Sequence, residues 1–356
     1  MNDHPPSALS LRPIAAVLAE LAAACPRGAP REIAIADAAG LILAEDLTIP
    51  SDMPVCAVAL RSGYAVAARD LVGASAYAPL LVPVRPPWID AGRGLPSGLD
   101  AIVPADAVSI RGSSVEIAAS PSPGEFVRRA GEDGRSGECL RGRSEPVRGR
   151  DVAAAIASGI ASALVHPVIV QGYADSSATV LSPVLEGLCG ATVRTAPWSS
   201  EAPPTVAGVS LVVVTTHDRT AFELVAGAGG MIASGLALSS AETVAVGRLD
   251  GTPVIVAPPR LDTLVALAYV VIQPLIDRIA GRQDVPVWRR AALSRKLSST
   301  VGLTELALVR DVDGRLEPLG VGSLTPSTLV RADGYVIIPP ESEGFQAGAM
   351  VEAYDL

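Results

Sequence analysis

The sequence predicts a multidomain protein in which an α/β domain stands between small β modules. Three observations predict it. The chain has 356 residues, more than one ordinary core holds and enough for two to four small ones. From Val165 onward, apolar runs suited to strands alternate with helical patterns, the grammar of a largely parallel sheet. On either side of that stretch the runs are brief, rich in Val, Leu and Ile, and punctuated by Gly and Pro, which reads as compact β structure.

The elements follow in order. Leu11 to Cys25 is rich in Ala and Leu but is interrupted by Arg12, Pro13 and Glu20, so it reads as an amphipathic helix rather than a signal peptide. Leu11, Ile14, Val17, Leu18 and Leu21 share its apolar face behind a Ser10 cap. Arg31 to Asp46 holds a short strand and a second small element, with Gly40 between them. Between Tyr64 and Ser120, Leu80 to Val84, Ala101 to Val103 and Val115 to Ala118 are strand-like, and a glycine-rich loop, Ala91-Gly92-Arg93-Gly94, precedes one of them. Phe126 to Arg150 is basic and Gly-rich, and Asp151 to Ile160 is a short Ala-rich helix with Asp151 as its expected cap.

In the α/β stretch, Val165 to Val170, Ala191 to Val193, Leu211 to Thr215 and Val254 to Ala257 are the strands. Ser182 to Leu188, Ala221 to Ala226 and Leu261 to Ala280 are the helices between them, and the loops at the sheet's switch point are the expected binding crevice. After a linker at 281–286, Leu306 to Val309, Tyr335 to Ile338 and Met350 to Ala353 form a barrel-like β module turned at Asp313-Gly314, Asp333-Gly334 and Gly348. The domain boundaries so expected are 1–50 with 124–164, 51–123, 165–283 and 284–356.

Composition narrows the function classes. With 49% hydrophobic residues, 18% charged residues and a net charge of −9, the chain is a mildly acidic globular protein without the basic excess that binds nucleic acid. No run reaches the roughly 18 uninterrupted apolar residues of a membrane span, so no membrane partner is expected. Cys25, Cys56, Cys139 and Cys189 lack paired spacing, as do His4, His166 and His217, which excludes a zinc or iron–sulfur motif and points to a reduced, cytoplasmic protein.

Several motifs carry more specific information. Ile49-Pro50-Ser51-Asp52-Met53-Pro54 leads into Leu60-Arg61-Ser62-Gly63-Tyr64-Ala65-Val66; Val127-Arg128-Arg129-Ala130-Gly131-Glu132-Asp133-Gly134 is followed by Gly137-Glu138; Ala332-Asp333-Gly334-Tyr335-Val336-Ile337-Ile338-Pro339 lies near the end. In order and spacing these resemble the MoeA-type molybdopterin molybdenumtransferases, over nearly the whole chain. The resemblance implies an elongated architecture with a helical linker domain, an inserted β domain, a MogA-like α/β domain and a C-terminal β-barrel. It also implies a homodimer, held by the first helix and the segment from Asp151 to Ile160, that joins molybdate to molybdopterin using adenylylated molybdopterin and Mg²⁺. Such chemistry needs cations and backbone N–H groups for oxyanions, and carboxylates for the metal or for water.

Carried over residue by residue, the resemblance makes Asp133 the metal-binding and catalytic carboxylate; Asp218, in a segment that departs from the family, is a second catalytic candidate in a rebuilt site. Gly63, Tyr64, Arg93, Glu132, Arg260, Arg310 and Ser323 are the cofactor-binding candidates. A structural reading stands beside each: Glu132 and Asp133 cap a turn and pair with Arg128 or Arg129, Gly63 and Tyr64 pack, and Arg310 and Ser323 are polar surface. His217 beside Asp218 is a poor acid–base dyad, because adjacent side chains diverge.

The departures are equally specific. Arg61-Ser62 stands where the family has Met-Asp, so one acid is gone. Gln171 to Ser177 lacks the family's acidic pair, and Thr215-Thr216-His217-Asp218-Arg219-Thr220 replaces its glycine-rich phosphate turn. Leu238 to Thr243 has no lysine where the family has two and adds Glu242, and Ala257 to Asp262 lacks the family's Gly and Asn. These losses favour a protein of molybdenum cofactor biosynthesis or handling with impaired molybdate insertion, binding molybdopterin, another cofactor-assembly protein or a molybdoenzyme client. The alternatives are a divergent active transferase built on Asp133, Asp218, Arg93 and Arg260, and a dimeric scaffold that binds no pterin.

Overall fold

The computed structural model describes residues 11–25, 27–112, 114–175, 180–202, 204–282, 287–322 and 324–356. Ser10, Ser176, Ser177, Ser323 and the greater part of the expected linker lie outside the described residues. The chain forms two compact units: one comprises Met1–Glu45, Arg143–Gly149 and Ser162–Leu356, the other Asp46–Gly142 and Arg150–Ala161.

The first unit is built on a six-stranded sheet in the order Thr192–Pro197, Ile169–Ala174, Leu211–Thr215, Thr252–Ala257, Ala245–Leu249, Ala233–Ser234. The first four strands are parallel and the last two return antiparallel. Leu211 to Val214 are all fully buried, because helices cover both faces of a parallel sheet. The expected run from Val165 to Val170 is two strands. Pro167, which has no N–H for a ladder, separates Ser162–Val165, paired with Arg31–Ala34, from the sheet strand that starts at Ile169.

Leu261–Leu267, Ala268–Ile272 and Gln273–Ala280 run on as one helix whose middle segment widens to a π turn. It is long and apolar enough to cross a membrane, yet 78% of its apolar window is buried within the protein, and Asp277 and Arg278 interrupt it. Its Ile276 and Leu275 share a core with Ile14, Val17 and Leu21 of the first helix, Ile14–Ala24. That first helix starts behind Pro13 rather than at Leu11; Pro13 keeps Arg12 extended, and Arg12 bridges to Leu236. The apolar face on which the expected dimer contact rests is therefore spent in the protein's own core.

The C-terminal part is a five-stranded antiparallel sheet ordered Arg289–Ala292, Met350–Asp355, Gly334–Ile338, Glu305–Val312, Arg315–Val321. It curls around Leu293, Val309, Leu316, Val336 and Val351 until its edges meet where the Ser294 N–H donates to the Leu316 carbonyl at 2.9 Å. Asp313-Gly314 is the hairpin turn, with φ of 50° and 81°. Asp333-Gly334 is not a turn of that kind: Gly334 opens a strand, and a Cβ there would lie 2.4 Å from the Tyr354 carbonyl oxygen.

The second unit contains two three-stranded antiparallel sheets. One is ordered Trp88–Ile89, Gly63–Val66, Ala101–Val103, the other Leu80–Val82, Ser114–Ile117, Val108–Arg111. Val66, Val103, Val115 and Ile117 meet between them. The helix Gly149–Ala157 differs from the expected Asp151 cap. Asp151 sits inside its first turn and is buried, and both its oxygens accept hydrogen bonds from Arg141, from Nε and Nη2, at 2.9 Å. A buried carboxylate gains more from this forked donor than from a terminal N–H.

Candidate functional site

The Gly131-Glu132-Asp133 motif is a turn laced onto the Ile49–Pro54 segment. The Gly131 N–H donates to the Pro54 carbonyl, the Asp133 N–H to the Met53 carbonyl and the Met53 N–H to the Gly134 carbonyl. Gly131 has φ of 72°, which favours glycine, and Gly134 leaves room for Ile49, whose Cδ1 would lie 2.4 Å from an added Cβ. Within this frame the acids have local partners. Glu132 Oε2 accepts the Arg129 N–H at 2.8 Å, and Asp133 Oδ1 accepts from Arg128 Nη1 at 2.7 Å. Asp133 keeps 40% of its side chain exposed. Among the described residues no three or more His, Cys, Asp or Glu side chains are grouped so as to hold a metal ion, and Asp133 is paired with the Arg128 guanidinium.

The missing acid has a replacement with a different task. Ser62 Oγ accepts the Ala91 N–H at 3.0 Å, so the serine ties down the start of the glycine-rich loop. Gly63 is a packing glycine, since a Cβ would lie 2.5 Å from the Val103 carbonyl oxygen. Tyr64 is buried with its ring edge-on to Trp88, centroids 5.2 Å apart. Arg61 lies over the Phe126 ring at 4.7 Å. Arg93 is exposed, and among the described residues its side chain has no ion-pair partner.

The other candidates belong to the first unit. Asp218 is the N-cap of the helix Arg219–Gly227, accepting the Thr220 N–H at 2.9 Å. The Thr220 hydroxyl and N–H hold its carboxyl below the usual aspartate range. Asp175, at the end of the strand Ile169–Ala174, braces the same turn, accepting from the Thr216 hydroxyl at 2.9 Å and from the His217 N–H at 3.3 Å. Thr216 Oγ1 in turn accepts the Asp218 N–H at 2.9 Å. The turn and the helix start are thus held by the chain's own carboxylates, Asp175 on the turn and Asp218 on the helix.

Arg260 grips Asp262 with two hydrogen bonds, Nη2 to Oδ2 at 2.6 Å and Nε to Oδ1 at 3.2 Å, and this carboxylate raises its pKa further. Arg310 faces Glu317 across the hairpin, Nη2 to Oε2 at 2.6 Å. Ser323 lies outside the described residues. Asp175, Asp262 and Glu317 are partners that sequence reading leaves without a role. Asp218 does carry a legible signal, an aspartate immediately before an apolar helical run.

Comparison with known proteins bears on these arrangements. Residues 12–159 match the family model of the MoeA N-terminal region (domain I and II), and residues 290–356 match that of the MoeA C-terminal region (domain IV). The chain belongs to the MoeA family. A Mycobacterium tuberculosis protein named molybdopterin molybdenumtransferase 2 is 26% identical, over 96% of this chain and 98% of its own. The solved molybdopterin biosynthesis MoeA protein of Pyrococcus horikoshii has a TM-score of 0.67 at 22% identity, covering 97% of this chain and 99% of that one. A molybdenum cofactor biosynthesis protein of Pyrococcus furiosus has a TM-score of 0.56 at 17% identity, covering 96% and 98%. The MoeA-like fold and a place in molybdenum cofactor biosynthesis are thus supported over nearly the full chain.

Proposed function

We propose that this MoeA-like protein binds molybdopterin or a protein partner in molybdenum cofactor biosynthesis, with its own molybdate insertion impaired. The turn after Leu211–Thr215 carries the reading. Its Thr220 and His217 N–H groups already serve Asp218 and Asp175, so a phosphate or molybdate oxyanion would compete with two carboxylates and meet their repulsion. The pairing of Arg260 with Asp262 and of Arg310 with Glu317 supports the same conclusion, because neither guanidinium stands uncompensated. In this reading the chain keeps the family's four segments, 1–50 with 124–164, 51–123, a MogA-like α/β domain at 165–283 and a β-barrel at 284–356. It acts as a cytoplasmic homodimer, with other assembly proteins or a molybdoenzyme client as partners. The helix Gly149–Ala157, with exposed Ile156, is the part of the expected dimer contact still available.

The test is molybdate-dependent turnover of adenylylated molybdopterin by the purified protein, run beside an intact family member. Impaired turnover with saturable molybdopterin binding is expected; turnover equal to the intact member's sinks the reading, and failure to bind the pterin leaves the scaffold alternative. A divergent active transferase draws on one observation, the unpaired Arg93 in the unit that also holds the half-exposed Asp133. That alternative requires Asp133→Ala to abolish turnover.

A further inference from the structure

The second unit holds an apolar cleft of about 500 Å³ to which no part of the molybdopterin reading assigns a role. Its lining draws on both three-stranded sheets, Ala65 and Val66 from one, followed by Ala67, and Val82 and Ile117 from the other. Pro83, Pro86 and Pro87 line it on the connection between Leu80–Val82 and Trp88–Ile89, and these prolines withhold backbone donors from any strand that would add at this edge. Leu81 and Val84, which are 68% and 75% exposed, also line the cleft and carry its apolar surface to the outside. A preformed apolar cavity of this size with few polar groups is the usual form of a small-molecule site.

Charge selects the occupant. Two charged residues line the cleft, Asp70 and Arg85. Asp70 lies 3.7 Å from Arg69 and is compensated by it. Arg85 has no acidic partner among the described residues; its guanidinium stands 6.0 Å from the centre of the Tyr64 ring. An apolar cleft with one uncompensated guanidinium beside it suits a molecule with an aliphatic body and a single anionic head. The geometry points to a binding site for an amphiphilic monoanion, its chain in the apolar cleft and its carboxylate on Arg85.

Octanoate is the probe, titrated calorimetrically into the full chain and checked by displacement of anilinonaphthalene sulfonate, with octanol and octylammonium as neutral and cationic counterparts. Saturable octanoate binding is expected, tighter than octanol and much tighter than octylammonium. Arg85→Gln, at an exposed position, should weaken octanoate about tenfold through loss of a charge-assisted contact and leave octanol unchanged. Ala67→Leu should remove both by filling the cleft; should that variant not fold, Leu81→Asp, also exposed, should weaken both. Octanoate that never saturates, octylammonium that binds as tightly, or an Arg85→Gln protein with unchanged octanoate affinity would each overturn the proposal. None of these readouts involves molybdopterin, so the result stands apart from the proposed function.

Discussion

Two turns stand where the family's chemistry is expected, and they have fared differently. The Gly131-Glu132-Asp133 turn keeps the family's residues, whereas Thr215 to Thr220 replaces a glycine-rich turn altogether. Yet in both, the carboxylates serve the local fold: Glu132 and Asp133 hold Arg129 and Arg128, and Asp175 and Asp218 hold the start of a helix. The difference lies in what else fixes the residues. Around the first turn, backbone ladders to Ile49–Pro54 and the tight approach at Gly134 demand particular residues for packing, as the approach to Val103 does at Gly63 of the same signature. At the second, polar side chains can satisfy a helix end in many ways. Under the proposed reading, a motif outlasts its chemistry where packing requires it, and dissolves where only a ligand did.

The largest effect expected from this contrast is at Gly63. Gly63→Ala puts a methyl group 2.5 Å from the Val103 carbonyl oxygen, a backbone atom that cannot swing aside. A loss of about 3 kcal/mol is expected, read as a lowered urea midpoint. An unchanged midpoint would show that the motif survives for a reason other than packing.

Much of this was legible beforehand, and the rest was hidden for a physical reason. Apolar periodicity located the strand Leu211–Thr215 to the residue, and Asp313-Gly314 announced its hairpin. The partners of the site residues were not legible. Ser62 meets Ala91 and Asp175 meets Thr216 across long stretches of chain, and a single sequence does not encode which distant donor a side chain will face. The two aspartates Asp151 and Asp218 illustrate it. Both precede or open Ala-containing helices, but Arg141 draws Asp151 into an ion pair, while Asp218, without an ion-pair partner among the described residues, takes the cap.

The second turn yields the next largest effect. Asp175→Ala removes the acceptor of two hydrogen bonds and should cost about 2 kcal/mol. It also takes away one of the carboxylates that repel anions, so inorganic phosphate should stabilise this variant more than the parent in thermal unfolding. A variant that loses stability without gaining any response to phosphate would remove repulsion by Asp175 from the account.

Asp133→Asn should matter less. It weakens a half-exposed ion pair with Arg128, worth below about 1 kcal/mol. The impaired-insertion reading expects no change in any residual molybdate-dependent turnover, whereas the divergent-enzyme reading expects its loss. Stability and turnover measured together thus separate a turn that is kept for its shape from one kept for its acid.

The smallest effect tests the cap through pH. The Thr220 hydroxyl and N–H depress the Asp218 carboxyl, so the folded chain holds this proton less tightly than the unfolded chain does. With the folded pKa below the unfolded one, the stabilisation is fully present above the ordinary aspartate range. It fades as pH falls through that range and is gone below the folded value. Asp218→Asn retains a good cap but cannot titrate. Its unfolding midpoint should stay near the parent's at neutral pH and fall less steeply on acidification. If the two acid limbs run parallel, the carboxylate is not the group that holds the helix end, and the site would again be open to an anion.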